Sequence, residues 1–230
     1  MNSAIADVVV CPICEGPRQT RFGVCYCCEL LARQLRVPLV PIVAVANYRS
    51  GDGLHRRLRG YKDAPVAEAR GACTTELASL VDTWMLAQGT RLREHFGSSW
   101  DVVATVPSSH RPAGAPVDAV VARVPQLDRL RRPLLLRGPE STDHLVAARR
   151  GFALRPGVDR GWLRNQRVLV VDDSVITGAR AQSAATALRL DGVRVVGVVA
   201  IGRMVTPGSG GPKLAFWEAH LRREAPAVWQ

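Results

Sequence analysis

The chain has 230 residues, of which 47% are hydrophobic and 22% are charged, and its formal net charge is +11. This composition is typical of a folded globular protein and excludes a disordered or fibrous chain. The longest apolar stretch, residues 37–46, contains two prolines and is too short to cross a membrane, and the N-terminus lacks the basic segment of a signal peptide. We therefore expect a cytoplasmic protein without a membrane span.

Arginine supplies 29 of the 31 basic residues. An excess of positive charge suits a polyphosphate or nucleic-acid partner, but a solvated surface in a protein that prefers arginine explains it equally well. Aromatic residues make up only 5% of the chain, so the stacking groove of a single-strand binding protein is not indicated.

Five of the six cysteines lie in residues 1–36, which we interpret as a zinc-knuckle region. Cys11 and Cys14, then Cys25 and Cys28, give two Cys-x2-Cys pairs separated by ten residues, the spacing of a structural zinc site. Cys27 is an alternative ligand to either of its neighbours. A disulfide framework would need an oxidising compartment, for which the sequence gives no sign. The sixth cysteine, Cys73, is interpreted as a packed thiol in a helix.

Residues 37–206 are predicted to form an α/β domain, and residues 207–230 a C-terminal tail. An apolar extended stretch and a basic segment come first, and residues 65–96 then have the pattern of one or two helices. Continuous apolar runs follow, which are typical of strands covered on both faces in a parallel sheet. The runs are residues 101–107, 133–137, 167–173 and 193–202, with helical patterns over 115–124 and 179–190.

Two adjacent acids, Asp172 and Asp173, end the third apolar run, and a small-residue turn leads from them into a predicted helix near Gly178 or Ala179. Ligands of open parallel sheets bind at the carboxyl ends of the strands, and a helix N-terminus there suits a phosphate. The acids would repel a phosphate but can accept hydrogen bonds from sugar hydroxyls or face a magnesium ion. A ribose 5-phosphate satisfies both demands.

This stretch resembles the phosphoribosyl pyrophosphate (PRPP) motif of type I phosphoribosyltransferases: four hydrophobic residues, two acids, and a loop ending Thr-Gly. The resemblance implies that Asp172 and Asp173 hold the ribose hydroxyls. It also implies that the loop wraps the 5-phosphate. The loop residues are Ser174, Val175, Ile176, Thr177, Gly178, Ala179 and Arg180.

Two loop positions depart from the common pattern. Arg180 stands where many members of that family have a threonine or serine whose hydroxyl contacts the phosphate. It would instead either contact the phosphate through its charge or point away from it. Ile176 replaces a residue that is polar in some members and alanine in others.

A cysteine knuckle ahead of a PRPP motif resembles the competence protein F (ComF) family, over about residues 11–203. Residues 54–65 resemble its basic segment ending in a lysine, residues 102–109 its strand running into a Val-Pro loop, and residues 147–152 a segment ahead of the PRPP strand. The resemblance implies a type I phosphoribosyltransferase-like sheet flanked by helices, structural zinc, and PRPP bound with magnesium. It further implies transfer of the phosphoribosyl group to an acceptor, with release of pyrophosphate.

The pyrophosphate loop is the weakest part of this resemblance. Ser108, Ser109, His110 and Arg111 are the candidate contacts, but the RGFNQ stretch usual in the family is replaced by HRPAGAPVDAVV. An arginine of the Arg149-Arg150 pair, on a loop expected to be mobile, is a further candidate. His55 and His144 are interpreted as surface residues.

A second hypothesis is a non-catalytic competence, DNA-uptake or regulatory factor that binds single-stranded DNA. The missing RGFNQ stretch, Arg180 and the basic charge favour it, as does the association of ComF proteins with natural competence.

Overall fold

The computed structural model describes residues 8–108, 115–205 and 216–217. They form a mixed α/β fold: a four-stranded parallel sheet flanked by helices, preceded by a cysteine-bearing hairpin. Among these residues, no helix combines the length and the apolar character needed to traverse a bilayer. The elements are β1 (Val8–Val10), β2 (Pro17–Gln19), α1 (Tyr26–Leu35), β3 (Ile42–Tyr48), α2 (Gly53–Asp63), α3 (Ala67–His95), β4 (Val102–Thr105), α4 (Val117–Val121), α5 (Pro125–Asp128), β5 (Leu135–Arg137), β6 (Phe152–Leu154), α6 (Arg160–Arg164), β7 (Arg167–Val175), α7 (Ala179–Leu190) and β8 (Arg194–Met204).

The parallel sheet has the strand order β3-β8-β7-β4, so β7 and β8 are its central strands. Side chains of β7 alternate between two cores. Leu169 and Val171 belong to the core on the side of α2 and α3, whereas Val168 and Val170 belong to the core on the side of α7. Burial on both faces explains why this strand is a continuous apolar run rather than an alternating one.

The third and fourth apolar runs and the helix between them are predicted correctly, but both strands differ in length: β8 spans Arg194–Met204 rather than 193–202. Helix α7 spans the predicted residues 179–190. Strand β7, however, continues through both acids to Val175, because β8 is long enough to pair with it: Asp172 lies opposite Ala200 and Ser174 opposite Gly202. The acids therefore lie inside the carboxyl-terminal half of the strand rather than beyond its end.

The assignment of residues 133–137 to the parallel sheet is wrong. Strand β5 pairs antiparallel with β6 in a separate two-stranded sheet. The chain makes one parallel bridge to β4, between Val103 and Arg131, and Pro133 follows. Because proline has no N–H to donate, the ladder cannot continue there, and the strand forms elsewhere.

The helical predictions differ in extent. Residues 65–96 contain one helix, α3, of 29 residues, and the predicted helix over 115–124 is shortened to the five residues of α4. Helix α1, which starts one residue after Cys25, was not predicted from the sequence, and the basic segment contains α2. Both helices bring side chains to the carboxyl ends of the strands.

Candidate functional site

Asp172 is a buried carboxylate with an incomplete set of partners. Its side chain is 3% exposed, and Oδ1 accepts a hydrogen bond of 2.9 Å from the backbone N–H of Asp173. Oδ2 is buried and has no hydrogen-bond partner among the described residues. Burial, reinforced by the neighbouring charge of Asp173, raises the pKa of Asp172 to about 7, although the charges of Arg180 and Lys62 oppose the rise. A carboxylate in this state is a candidate ligand-binding group.

Asp173 is held by helix α2. Lys62 forms an ion pair with Asp173, and the hydroxyl of Tyr61 donates a hydrogen bond to the same carboxylate oxygen, Oδ2. Both residues belong to the basic segment that the sequence analysis selected, but nothing in the sequence predicted which acid they would meet. Helix α2 thus places a positive charge directly beside the acid pair.

The next residue, Ser174, is tied to the edge strand of the sheet. Its hydroxyl shares a hydrogen bond with the hydroxyl of Tyr48, the last residue of β3. Burial raises the pKa of Tyr48, so this phenol is a neutral hydrogen-bonding partner. The ring of His55 stacks on Tyr48 with 5.9 Å between centroids, and its Nδ1 accepts from the N–H of Gly51. His55 is therefore a half-buried packing residue and not the surface residue that was expected.

The turn between β7 and α7 requires a glycine. Gly178 has φ +89°, and a Cβ there would lie 2.7 Å from Cδ1 of the buried Ile42. Thr177 accepts a hydrogen bond from the N–H of Ala179 at 3.3 Å and donates one to the carbonyl of His144. Thr177 thus orders the first turn of α7, whose other backbone N–H groups have no intrahelical acceptor. Ile176 is 44% exposed at the turn.

Arg180 connects this turn to the Val-Pro loop after β4. Its Nη2 donates a 2.6 Å hydrogen bond to the carbonyl of Pro107, and its guanidinium lies 5.8 Å from the centre of the Phe152 ring. Arg180 also lines a cavity of about 80 Å³, together with Asp172, Ser174, Val175, Ile176, Gly178, Ala179, Ala181 and His144. Arg180 therefore faces the site, and so does His144, which is exposed as expected for a surface residue.

The pyrophosphate candidates are only partly placed. Ser108 directly follows Pro107, so the backbone of the Val-Pro loop lies beside Arg180, whereas Ser109, His110 and Arg111 fall outside the described residues. Arg149 and Arg150 are exposed. These positions remain predictions.

Four cysteines form a cluster suited to a metal ion. The sulfur atoms of Cys11, Cys14, Cys25 and Cys28 all lie within 4.8 Å of one another. The Cys11–Cys28 and Cys14–Cys25 sulfurs are 3.9 and 3.6 Å apart, close to the roughly 3.8 Å expected for thiolates bound tetrahedrally to zinc at about 2.3 Å. The predicted set of four therefore can bind zinc, and Cys27 is not a member of it.

The thiols of this cluster compete for protons. Hydrogen bonds from neighbouring thiols lower the pKa of Cys11 to about 6 and lower that of Cys25, while hydrogen bonds with Cys11 raise the pKa of Cys14 and Cys28. A buried group of four thiols cannot ionise fully unless a cation compensates the charge. The donor set thus fits zinc chemically as well as geometrically.

A larger cavity of about 290 Å³ lies between the cysteine cluster and the turn after β7. Cys14 and Cys25 line it on one side, and residues 175–178 line it on the other. Its walls are mostly apolar, and Arg203, near the end of β8, is the charged residue among them. Arg203 was not predicted as a site residue, because a single arginine at the end of an apolar run is typical of a solvated strand end.

Comparison with known proteins does not name this site. No family model matches the chain, and a search of curated proteins finds no significant match. The function is therefore inferred from the residues themselves.

Proposed function

We propose that the chain is a type I phosphoribosyltransferase-like protein of the ComF family, which binds PRPP with magnesium and transfers its phosphoribosyl group to an acceptor. The observation that carries the proposal is Asp172: a buried carboxylate with an unpartnered oxygen, paired with Asp173 and followed by a turn into the twelve-residue helix α7. Burial without a partner costs stability, so the arrangement is best explained by a ligand that completes it.

Different residues would bind different parts of PRPP. The 5-phosphate fits the N-terminus of α7, where free N–H groups and the helix dipole favour an anion and where the 80 Å³ cavity is lined by Arg180. The 2- and 3-hydroxyls of ribose can donate hydrogen bonds to Asp172 and Asp173. Asp172 and Asp173 are also the residues that would face magnesium, which would neutralise charge on the leaving group.

The transfer itself needs little covalent chemistry from the protein. An electron pair on an acceptor nitrogen forms a bond to C1 of the ribose while the bond from C1 to the pyrophosphate oxygen breaks, and its electrons leave on pyrophosphate. The acceptor N–H proton leaves with the pyrophosphate. Positive charge builds on the ribose ring in between, as in glycoside hydrolysis. Asp172 and Asp173 would stabilise that charge, and Lys62, which forms an ion pair with Asp173, would supply a positive charge for the leaving group.

The decisive experiment is calorimetric titration of PRPP with magnesium into the zinc-loaded protein. We expect micromolar binding to the wild type and at least a hundredfold loss in the Asp172→Asn, Asp173→Asn double variant. The matched control is Asp159→Asn, Asp191→Asn, which removes two acids from a surface remote from the turn, at the start of α6 and the end of α7. Binding to the control and not to the double variant would justify screening acceptors for pyrophosphate release.

Absence of PRPP binding to a folded, zinc-loaded wild type would overturn the proposal. The alternative, a ComF-type competence factor that binds single-stranded DNA, would then take first place on the net charge of +11. Its signature is an affinity that falls linearly with salt on logarithmic axes. Binding that is absent or insensitive to salt would exclude it.

A further inference from the structure

Arg203 is a buried arginine with a donor group that lacks an acceptor in the described part of the chain. The residue is 5% exposed, and its Nη2 has no hydrogen-bond partner among the described residues. An arginine stays protonated in proteins, so the fold cannot reduce the cost of burial by releasing the proton. A buried donor without an acceptor is costly, and more so when the donor is charged. The position therefore requires an acceptor that the described residues around it do not yet supply.

The strands direct Arg203 towards the cysteine cluster. In the central strand β8, Arg203 lies opposite Asn47 of β3 and Val175 of β7. Its side chain lines the cavity of about 290 Å³ that Cys14 and Cys25 also line. Among the described residues that line this cavity, none is acidic. The cysteine thiols are therefore the groups in this cavity that can become negatively charged near neutral pH.

The charge of Arg203 acts on one member of the cluster. The hydrogen bond with Cys11 is the main cause of the raised pKa of Cys14, and the charge of Arg203 opposes that rise. The attraction is mutual, so a thiolate at Cys14 also stabilises the buried guanidinium. Because zinc binds the thiolate and not the thiol, Arg203 favours the form of Cys14 that a metal requires.

A zinc ion would not neutralise the four cysteines completely. Four thiolates around one Zn²⁺ carry a net charge of about −2. Such an excess of charge is costly in a buried place unless a cation and hydrogen-bond donors compensate it. Arg203 offers both a permanent positive charge and an N–H group without an acceptor among the described residues. A metal-bound thiolate keeps lone pairs, so it can accept a charge-assisted hydrogen bond from that N–H group.

We infer that Arg203 is a positioning residue of the metal centre: with zinc bound, its guanidinium donates a hydrogen bond to the thiolate of Cys14 and compensates part of the negative charge of the cluster. Groups that hydrogen-bond to metal ligands orient those ligands and set metal affinity. Cys14 lies between β1 and β2, so this contact ties the cysteine-bearing hairpin to the parallel sheet. The inference goes beyond the proposed function, because it does not involve PRPP.

The first measurement is the zinc affinity of the full-length chain, by competition with a chromophoric chelator under reducing conditions. We expect Arg203→Met to bind zinc about 10- to 100-fold more weakly than wild type. Arg203→Lys should be intermediate, because it keeps the charge but not the planar fork of donors. The matched control is Arg194→Met, the same substitution at the exposed first residue of β8, which should bind zinc as the wild type does.

The second measurement uses cobalt in place of zinc, and a merely structural role of Arg203 would not change its result. The energy of thiolate-to-cobalt charge transfer depends on the hydrogen bonds and charges around the sulfur atoms. A positively charged donor lowers the energy of the sulfur lone pairs. Its loss in Arg203→Met should therefore shift the charge-transfer band to longer wavelength, whereas Arg194→Met should leave the band unchanged.

Weaker zinc binding together with the spectral shift would support the inference. Unchanged zinc affinity in Arg203→Met, or no zinc binding by the wild type, would overturn it. Weaker binding with an unshifted cobalt band would also overturn it, because Arg203 would then act on the fold and not on the thiolates.

A further variant covers the case in which Arg203→Met does not fold. Arg203→Gln keeps N–H donors without the charge, so it should bind zinc more weakly than Arg203→Lys. Equal zinc affinities of these two variants would contradict the role of the charge. Failure of PRPP to bind would overturn the proposed function and leave this inference intact, because zinc affinity and the cobalt spectrum are measured without PRPP.

Discussion

At the amino end of β7, Asp101 accepts three hydrogen bonds from Arg167, two from the guanidinium and one from the backbone N–H. At the carboxyl end of the same strand, Asp172 is buried and one of its oxygens has no partner among the described residues. The hydrogen bonds of Arg167 lower the pKa of Asp101 to about 2, whereas burial raises that of Asp172 to about 7. Arg167 compensates the charge of Asp101, whereas the described residues do not fully compensate the charge of Asp172.

The two ends of β7 therefore differ in role: the amino end stabilises the fold, whereas the carboxyl end is suited to bind a ligand. A paired carboxylate contributes stability, and a buried one without compensation subtracts from it. The carboxyl ends of the strands also carry Arg203 and, across a shared cavity, the cysteine cluster. Asp172, Arg180 and Arg203 each have a buried polar atom there without a hydrogen-bond partner among the described residues, and the proposed partners of the acid pair and of the cysteine cluster are a sugar and zinc.

The largest expected effect comes from zinc. Metal analysis should find about one equivalent, and its removal by a chelator should lower the thermal unfolding midpoint by roughly 10 °C or more, because the thiolates then lose their cation. Cys28→Ser should lose the metal, whereas Cys27→Ser, which changes the cysteine outside the cluster of four, should keep it. Less than half an equivalent in the wild type would contradict the zinc assignment.

The second prediction concerns Asp172 directly. Its pKa is raised from 3.8 to about 7 in the folded protein, so the folded state binds the extra proton between those values. Stability of the wild type should therefore fall as the pH rises from about 4 to about 7. Asp172→Asn removes this loss, so the unfolding free energy of the variant relative to wild type should increase by about 2 to 4 kcal/mol between pH 4 and pH 8.

Urea unfolding across that pH range measures the difference. Asp159→Asn is the control, because Asp159 is an exposed helix cap and asparagine caps a helix equally well. A stability difference between Asp172→Asn and wild type that does not vary with pH would contradict the raised pKa of Asp172.

The sequence predicts β7, β8 and α7 better than it predicts the pairing of the apolar run over 133–137. Strands β7 and β8 and helix α7 could be predicted because local patterns determine them: continuous apolar runs, a Thr-Gly turn and a following Asp-Gly stop. The apolar run over 133–137 has the same pattern as these strands. It forms a different sheet because Pro133 interrupts its pairing with β4 and because β6 offers an edge to pair with. Periodicity alone does not carry that information.

The partners of the site residues were beyond prediction for a related reason. Tyr61 and Asp173 are 112 residues apart, and their contact exists only because α2 packs over the ends of the strands. Arg180 was recognised as a departure from the family pattern, but its bond to Pro107 depends on the position of β4. The four cysteines, by contrast, were predicted correctly, because ligand spacing along the chain is itself the signal.

The third prediction tests whether the turn at the carboxyl end is sterically fixed. Gly178→Ala should destabilise the protein by about 2 to 3 kcal/mol, because the new methyl group meets Ile42 in addition to the cost of a positive φ. Gly157→Ala is matched: its φ is +82°, but a Cβ there meets nothing within 4 Å, so we expect about 1 kcal/mol. Equal decreases in the free energy of unfolding of the two variants, measured with urea, would show that Ile42 moves aside and that packing does not fix the turn.

The smallest effect is expected at the amino end. Asp101→Asn should cost about 1 kcal/mol at pH 7, a modest value because roughly a third of each side chain is exposed and water screens the pair. The pKa of Asp101 is lowered in the folded state, so its stabilisation exists above the unfolded value near 3.8 and disappears as the pH falls towards 2. The variant and the wild type should therefore converge in stability at acid pH. As the pH rises, Asp101→Asn should lose stability relative to wild type, whereas Asp172→Asn should gain it. Asp128→Asn removes an acid that is more exposed than Asp101 and is paired with Arg131; it serves as the control and should cost less. If Asp101→Asn diverges from wild type as the pH falls, the pairing of Asp101 with Arg167 does not stabilise this end of the sheet.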